Sequence, residues 1–233
     1  MRIKLEKIIK CNVTVTLKTG LHIGAGNDEI KIGGMDRPVI RDHEGNPYIP
    51  GSSLKGRMRM LLELASGLVT GKDELQYKTL EALMNNGELS QEELNEGINI
   101  LKLFGSSGSD EIGEQLKEAV GIKVSRGLFK DFFLSEEKVQ DEITEEKAEV
   151  KINRITGTGE NPRHTERVKP ETEFKGEIIL RVFTGDNEKE LLKLIEKGFK
   201  LIELNGLGGS SSRGYGFVEF KYDYEEVFNS LNR

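Results

Sequence analysis

Cysteine is almost absent: Cys11 stands alone among 233 residues. A single cysteine excludes an internal disulfide and a cysteine-rich zinc site. Histidine is scarce as well. His22, His43 and His164 lie far apart and form no His-x-x-x-His pair, so no structural zinc is expected. No apolar run approaches the ~20 residues of a membrane span. The opening residues, MRIKLEKIIKCNV, alternate charge with apolar side chains and lack the unbroken apolar stretch of a secretory signal. These absences predict a cytoplasmic protein with no membrane contact. An excess of positive charge is also missing: the net charge is −6, which argues against binding nucleic acid through bulk charge.

Apolar residues make up 36% of the chain and charged residues 32%, the balance of a small core under much surface. The length suits one core carrying large insertions. The charge is distributed unevenly. Residues 136–149 are strongly acidic. Residues 151–169 hold Lys151, Arg154, Arg163, Arg167 and Lys169 against Glu160 and Glu166, a local +3 that could face an anionic partner.

Periodicity predicts a strand over Ile8–Leu17, where Ile9, Cys11, Val13, Val15 and Leu17 share one face. Thr19–Pro50 reads as a long loop. Ser52–Ser66 reads as a helix, with Ser52 or Ser53 as N-cap and Leu54, Met58, Leu61, Leu62 and Ala65 as its apolar stripe. Thr70–Leu103 reads as an inserted helical lobe broken at Gly87 and Gly97, and Phe104–Gly113 as a flexible turn region. Gly121–Leu134 has strand character. Glu136–Pro170, poor in apolar residues, resembles a protruding arm. Glu173–Phe183 is a strand, Glu188–Ile202 a helix, Leu207–Gly214 a glycine-serine loop and Tyr215–Tyr222 a final strand. Strand, helix, strand, strand, helix, strand is an α+β order: a ferredoxin-like (RNA-recognition-like) βαββαβ core with insertions. The core is expected at about 8–66, 121–134 and 171–222, the helical insertion at about 70–103 and the arm at about 135–169.

Four constellations could carry chemistry. PGSSLKGRMR opens the first helix and places Lys55, Arg57 and Arg59 near its positive end, where they oppose the dipole unless an anion offsets them. An ordinary solvated helix start is the competing reading. Gly51 and Gly56 have phosphate-loop spacing, but Arg57-Met58 stand where that loop needs Lys-Ser or Lys-Thr, which excludes a nucleotide site. In GGMDRPV, two glycines and Pro38 shape a loop bearing Asp36. That carboxylate either bonds its own turn, the reading favoured by pattern alone, or serves bound RNA by holding a divalent ion or orienting a 2′-hydroxyl. In LGGSSSRGYG, successive backbone N–H groups can form an anion nest beside Arg213, or simply connect two elements. In KINRITGTGENPRHTERVK, spread basic residues suit an arm lying along a nucleic-acid backbone, or a surface loop. His22 follows the first strand and reads first as structural.

Taken in order, LHIGAG (21–26), GGMDRPVIRD (33–42), PYIPGSSLKGRMR (47–59), LFG (103–105), EVKINRITGTGENPRHTERV (149–168) and LGGSSSRGYG (207–216) resemble the repeated backbone subunit of the type III-A CRISPR–Cas effector, in the repeat-associated mysterious protein (RAMP) superfamily. The resemblance spans most of the chain. PGSSLKG with a C-terminal glycine loop is general to the superfamily; the Asp36 loop and the ITG-containing arm are specific to this subunit. It implies a ferredoxin-like core with lid and thumb insertions, the thumb at about Leu134–Lys169. It implies partners as well: guide RNA, target RNA, further copies of the chain stacked along the guide, and other type III subunits. It assigns target cleavage to Asp36 with a divalent ion (Mg²⁺ or Mn²⁺), held at most transiently by Asp36. It assigns RNA contacts to His22, Lys55, Arg57, Arg59 and Arg213, and the arm adds Arg154, Arg163 and Arg167. The expected step is attack by the RNA's own 2′-hydroxyl on the adjacent phosphate. A type III-B backbone subunit, a purely structural RNA-binding subunit and a stand-alone RNA-processing nuclease are the alternatives.

Overall fold

The computed structural model describes residues 2–26, 37–71, 73–135 and 143–230. β1 (Leu5–Leu17) buries every second side chain from Ile9 to Leu17, as its alternation requires. It lies antiparallel between β6 (Glu173–Phe183) and β7 (Val218–Asn229), with Val15 opposite Phe174 and Phe220. Beyond β6 come β2 (Gly127–Phe129) and β3 (Phe133–Leu134), so the order across the sheet is β2-β6-β1-β7 with β3 also on β6. The stretch expected as one strand over 121–134 is therefore split. Asp131 and Phe132 leave the ladder: Phe132 pairs with Ile49 instead, and Asp131 accepts a hydrogen bond from the Gly51 N–H at 2.7 Å.

α1 (Gly51–Ala65) and α5 (Glu188–Asn205) supply the apolar cover, with Leu54, Met58, Leu62, Leu191, Ile195, Phe199 and Ile202 buried. The two helices approach closely at Gly198, where a Cβ would stand 2.7 Å from Met58 Sδ. Cys11 lies in this core, and burial pushes its thiol up to about 12. The opposite face of the sheet carries cross-strand polar pairs, among them Lys10–Glu225 at 2.6 Å and Asn12–Asp223 at 2.9 Å.

α2 (Tyr77–Asn85), α3 (Gln91–Phe104) and α4 (Glu114–Val120) form a lobe beside α1. Gly97 does not break this lobe. It sits inside α3, where Leu80 and Leu68 press against the space a side chain would fill. A capping box of Ser90 and Glu93 starts α3. The start of α2 is capped from a distance by buried Asp110, which accepts from the Tyr77 N–H at 2.7 Å. The lobe is tied to the core by buried charge: Asp186 lies 2.9 Å from Arg126 and 3.0 Å from Lys102.

β4 (Thr144–Ile152) and β5 (Gly159–Val168) form a separate antiparallel hairpin, the protruding arm. A two-stranded ribbon is marginal alone. Its base is anchored by the mutual backbone pair Leu21–Val168 and by buried Ile143, Thr165 and Val168. Its turn presents Ile155, which is 96% exposed.

Candidate nucleic-acid interface

Four segments converge at the end of the sheet where β1 stops. The residues after β1 pair with those after Asp36: Ile40 donates to the Ile23 carbonyl at 2.8 Å, and Gly24 bridges Val39. The glycine loop joins them through the Gly209 N–H to the His22 carbonyl at 2.9 Å. The stem of β5 closes the set. His22 Nδ1 lies 2.8 Å from the Glu166 carbonyl, and the Glu166 N–H donates to the Arg37 carbonyl at 3.1 Å.

Glu166 is the clamp of this junction. Its side chain is 8% exposed; it accepts from the Val39 N–H at 2.9 Å and pairs with the Arg41 guanidinium at 2.5 Å. In the sequence it reads only as one acid diluting a basic arm. Its burial between two segments 125 residues apart is a tertiary fact.

Tyr215 is a second residue that sequence reasoning passed over. It is fully buried, its hydroxyl donates to Glu149 Oε1 at 3.2 Å, and its ring carries Lys147 Nζ at 4.4 Å and the Arg167 guanidinium at 5.1 Å from the centroid. An aromatic ring between two cations fastens the glycine loop to the hairpin stem. Glu149 also receives Arg213 at 3.0 Å and Lys147 at 3.4 Å. Burial works against ionisation of Glu149, but the Tyr215 hydrogen bond and these two cations outweigh it and hold its carboxyl below the usual range.

Between the stem and the loop opens a cleft of about 500 Å³, lined by Arg37, Lys151, Arg163 and Arg213 with Glu149 in its wall. The structure thus brings Arg163 and Arg213 together and adds Arg37 and Lys151. Arg154 is exposed near the hairpin turn. Arg167 is already engaged by Glu145 at 2.7 Å.

The basic start of α1 is divided. Pro50, not Ser52 or Ser53, is the N-cap, and neither serine bonds the helix end. The Asp131 carboxylate already serves that end, so an external anion is not required to offset the dipole. Arg57 turns toward the glycine loop and donates to the Asn205 and Gly206 carbonyls at 2.9 Å each. Arg59 turns toward the lobe, nearly buried, bonding Glu63 at 2.6 Å and the Leu75 carbonyl at 2.7 Å. Lys55 remains half-buried with no ion pair among the described residues. Burial and then the Arg59 charge hold its pKa below the ordinary lysine value, against a partial offset from Glu74.

Asp36 lies outside the described residues. Its sequence neighbour Arg37 is the first described residue of that loop and lines the cleft. Among the described residues, no three His, Cys, Asp or Glu side chains converge as metal ligands. The nearby carboxylates Glu149 and Glu166 are committed to protein cations, so they do not form a ready metal donor set. Among the described residues, no helix is long and apolar enough to cross a membrane.

A sheet covered on one face by two helices, with a basic cleft between a protruding hairpin and a glycine loop, defines a ferredoxin-like α+β protein. The chain belongs to the RAMP superfamily, matched over residues 14–219, and within it to the Csm3 family. It is similar to the "CRISPR system Cms endoribonuclease Csm3" of Methanothermobacter thermautotrophicus, at 36% identity over 89% of this chain and 81% of the relative. The protein of the same description from Streptococcus thermophilus is also 36% identical, over 91% and 87%. Among solved structures, the crystal structure of a Csm3–Csm4 subcomplex of the type III-A CRISPR–Cas interference complex aligns with a TM-score of 0.53 and 26% identity, over 98% of this chain and 93% of that one. A type III-B Cmr-beta structure bound to cognate target RNA aligns at 0.58 and 18% identity, over 95% of this chain and 62% of that one, a likeness of fold.

Proposed function

We propose that this chain is the guide-RNA-binding backbone subunit of a type III-A CRISPR effector, stacking with further copies along the guide and with other subunits, and cutting complementary target RNA at regular intervals in the cytoplasm. The observation that carries this reading is the cation-lined cleft whose wall residue Arg37 directly follows Asp36. The relatives' description as endoribonucleases supports cleavage as the activity. The III-A assignment is supported by the Csm3 relatives at 36% identity together with the Csm3–Csm4 structure of the type III-A complex at 26%.

Asp36 serves the cleaving step. The 2′-oxygen of one nucleotide bonds to the adjacent phosphorus and the P–O5′ bond breaks. The 2′-hydroxyl proton is lost and O5′ gains one, leaving a 2′,3′-cyclic phosphate and a 5′-hydroxyl. A divalent ion, Mg²⁺ or Mn²⁺, supplies charge stabilisation when bound. The cleft, with His22 and Lys55, grips backbone phosphates. Arg57 and Arg59 act at one remove, holding the glycine loop and the lobe against α1. The hairpin acts as a thumb, and Ile155, the most exposed of its described apolar residues, is placed to part stacked bases.

The test is target cleavage by the assembled complex with end-group analysis. Wild-type complexes should yield evenly spaced fragments with cyclic phosphate ends, stopped by EDTA and restored by Mg²⁺ or Mn²⁺. Asp36→Ala complexes should bind target yet leave it intact. Equal cutting by Asp36→Ala and wild type would overturn the catalytic assignment, and a wild-type complex that binds target without cutting it would make the chain a structural subunit.

A further inference from the structure

Arg37, Lys151 and Arg163 are exposed around one concavity, and among the described residues none of them takes part in an ion pair. The fourth cation, Arg213, is held 3.0 Å from Glu149. Like charges gathered in a cleft raise the local potential and draw in an anion. Among the described residues Glu149 is the one acidic residue in the lining, and it is not free to swing away. The buried Tyr215 hydroxyl holds one oxygen at 3.2 Å and Arg213 the other at 3.0 Å. The fixed carboxylate therefore stands in the wall where an arriving anion would be drawn.

From this arrangement we infer that the cleft is a subsite for RNA phosphodiester groups, and that Glu149 is a built-in competing carboxylate that keeps it weak. Arg37, Lys151 and Arg163 attract the non-bridging oxygens. Arg213 is shared between the phosphate and Glu149, and Glu149 repels the phosphate it faces. A subsite weakened in this way holds a strand only while neighbouring contacts also hold it, and releases a short fragment. The inference rests on the RNA-binding reading above and adds the residues and the sign of each.

The experiment uses assembled complexes carrying Glu149→Gln, Lys151→Gln or Arg163→Gln, with Lys189→Gln on the remote, exposed part of α5 as control. Target-RNA affinity is measured across a salt series, and guide retention by the RNA-to-protein ratio of the purified complex. Glutamine at 149 keeps the Tyr215 hydrogen bond and removes the charge. It should tighten binding about 5- to 10-fold, the effect of about one unit charge at short range. Lys151→Gln and Arg163→Gln should each weaken binding several-fold and reduce the slope of log K against log salt by about 0.7 for each phosphate no longer neutralised. Lys189→Gln should match wild type. If the cation variants lose guide, the bound phosphate is the guide's; if they keep guide and lose target affinity, it is the target's. Either outcome supports the subsite. Wild-type affinity, slope and guide content in the cation variants, or no tightening in Glu149→Gln, would overturn it. Thermal melting of each variant shows that folding is intact. A wild-type complex with neither guide nor target binding would instead overturn the RNA-binding reading itself.

Discussion

The lobe junction and the hairpin cleft use the same residue types to opposite ends. At the lobe junction, Arg126 is 1% exposed, donates to both oxygens of Asp186 and to the Ile122, Val124 and Val120 carbonyls, and shares Asp186 with Lys102. Arg126 and Lys102 thus both have a counter-charge inside the fold. At the cleft, Arg37, Lys151 and Arg163 face solvent with no such partner among the described residues. A buried cation must be neutralised because desolvation is costly. An exposed cluster can be left unsatisfied at small cost, and what it lacks indicates what it binds. Arginine therefore means architecture in one place and, on the function proposed above, recognition in the other, and counting basic residues along the chain does not separate them.

The largest effect expected is at the lobe junction. Asp186→Ala strands two buried cations and should cost about 3–5 kcal/mol of stability in denaturant unfolding; molecules that remain folded should bind RNA as wild type does. If stability held, the contrast between the regions would fail on its structural side. Next is Glu166→Ala, which removes charge-assisted bonds to Arg41 and Val39. It should cost about 2 kcal/mol and slow target cutting far more than it weakens guide retention, because it loosens the segment that follows Asp36.

Acid should expose the same asymmetry more gently. Burial alone would push the Asp186 carboxyl up, but hydrogen bonds from Arg126 and the Phe183 N–H, with the adjacent cations, hold it below its ordinary value. Its folded pKa lies below the unfolded one. Its stabilisation is thus complete above the unfolded value of about 3.9 and is lost as pH falls from there toward the folded value. An Asp186→Asn protein, already less stable at neutral pH, should show a shallower loss over that acid range in pH-dependent melting. In the cleft the sign of the effect changes. Arg163→Gln should alter stability by less than about 0.5 kcal/mol while weakening RNA binding. The smallest energetic change is expected at the hairpin turn. Ile155→Gly should leave melting and affinity near wild type and blur the spacing of target cuts; unchanged spacing would remove the wedge role from Ile155.

Much of this was legible in sequence. Alternation placed the buried face of β1, and helical spacing placed the stripes of α1 and α5 apart from Ala65, which is exposed in the last turn of α1, because both patterns follow from local backbone period and one-sided burial. The succession of elements pointed to the ferredoxin-like class. Motif resemblance pointed to His22 and Arg213, which the fold brings to the junction of hairpin and glycine loop, and to Asp36, which lies outside the described residues. The start of α1 was misjudged because its cap comes from Asp131, 80 residues away. Gly97 was misjudged because helix propensity counts its missing side chain as a defect, whereas here it admits Leu80 and Leu68.

Local pattern and motif order suffice for the period of most elements, the fold class and the family, since these depend on neighbours a few residues apart and on the order of short motifs. Which charges are neutralised is settled by the folded chain alone. Folding buries Arg59 beside Glu63, lays Arg57 on two carbonyls at the end of α5, makes Glu166 a clamp, and sets Tyr215 and Glu149 between hairpin and loop. The reason is physical: a charged side chain's state depends on its solvent exposure and on counter-charges within a few ångströms, and those are supplied by segments that meet only after the chain has folded.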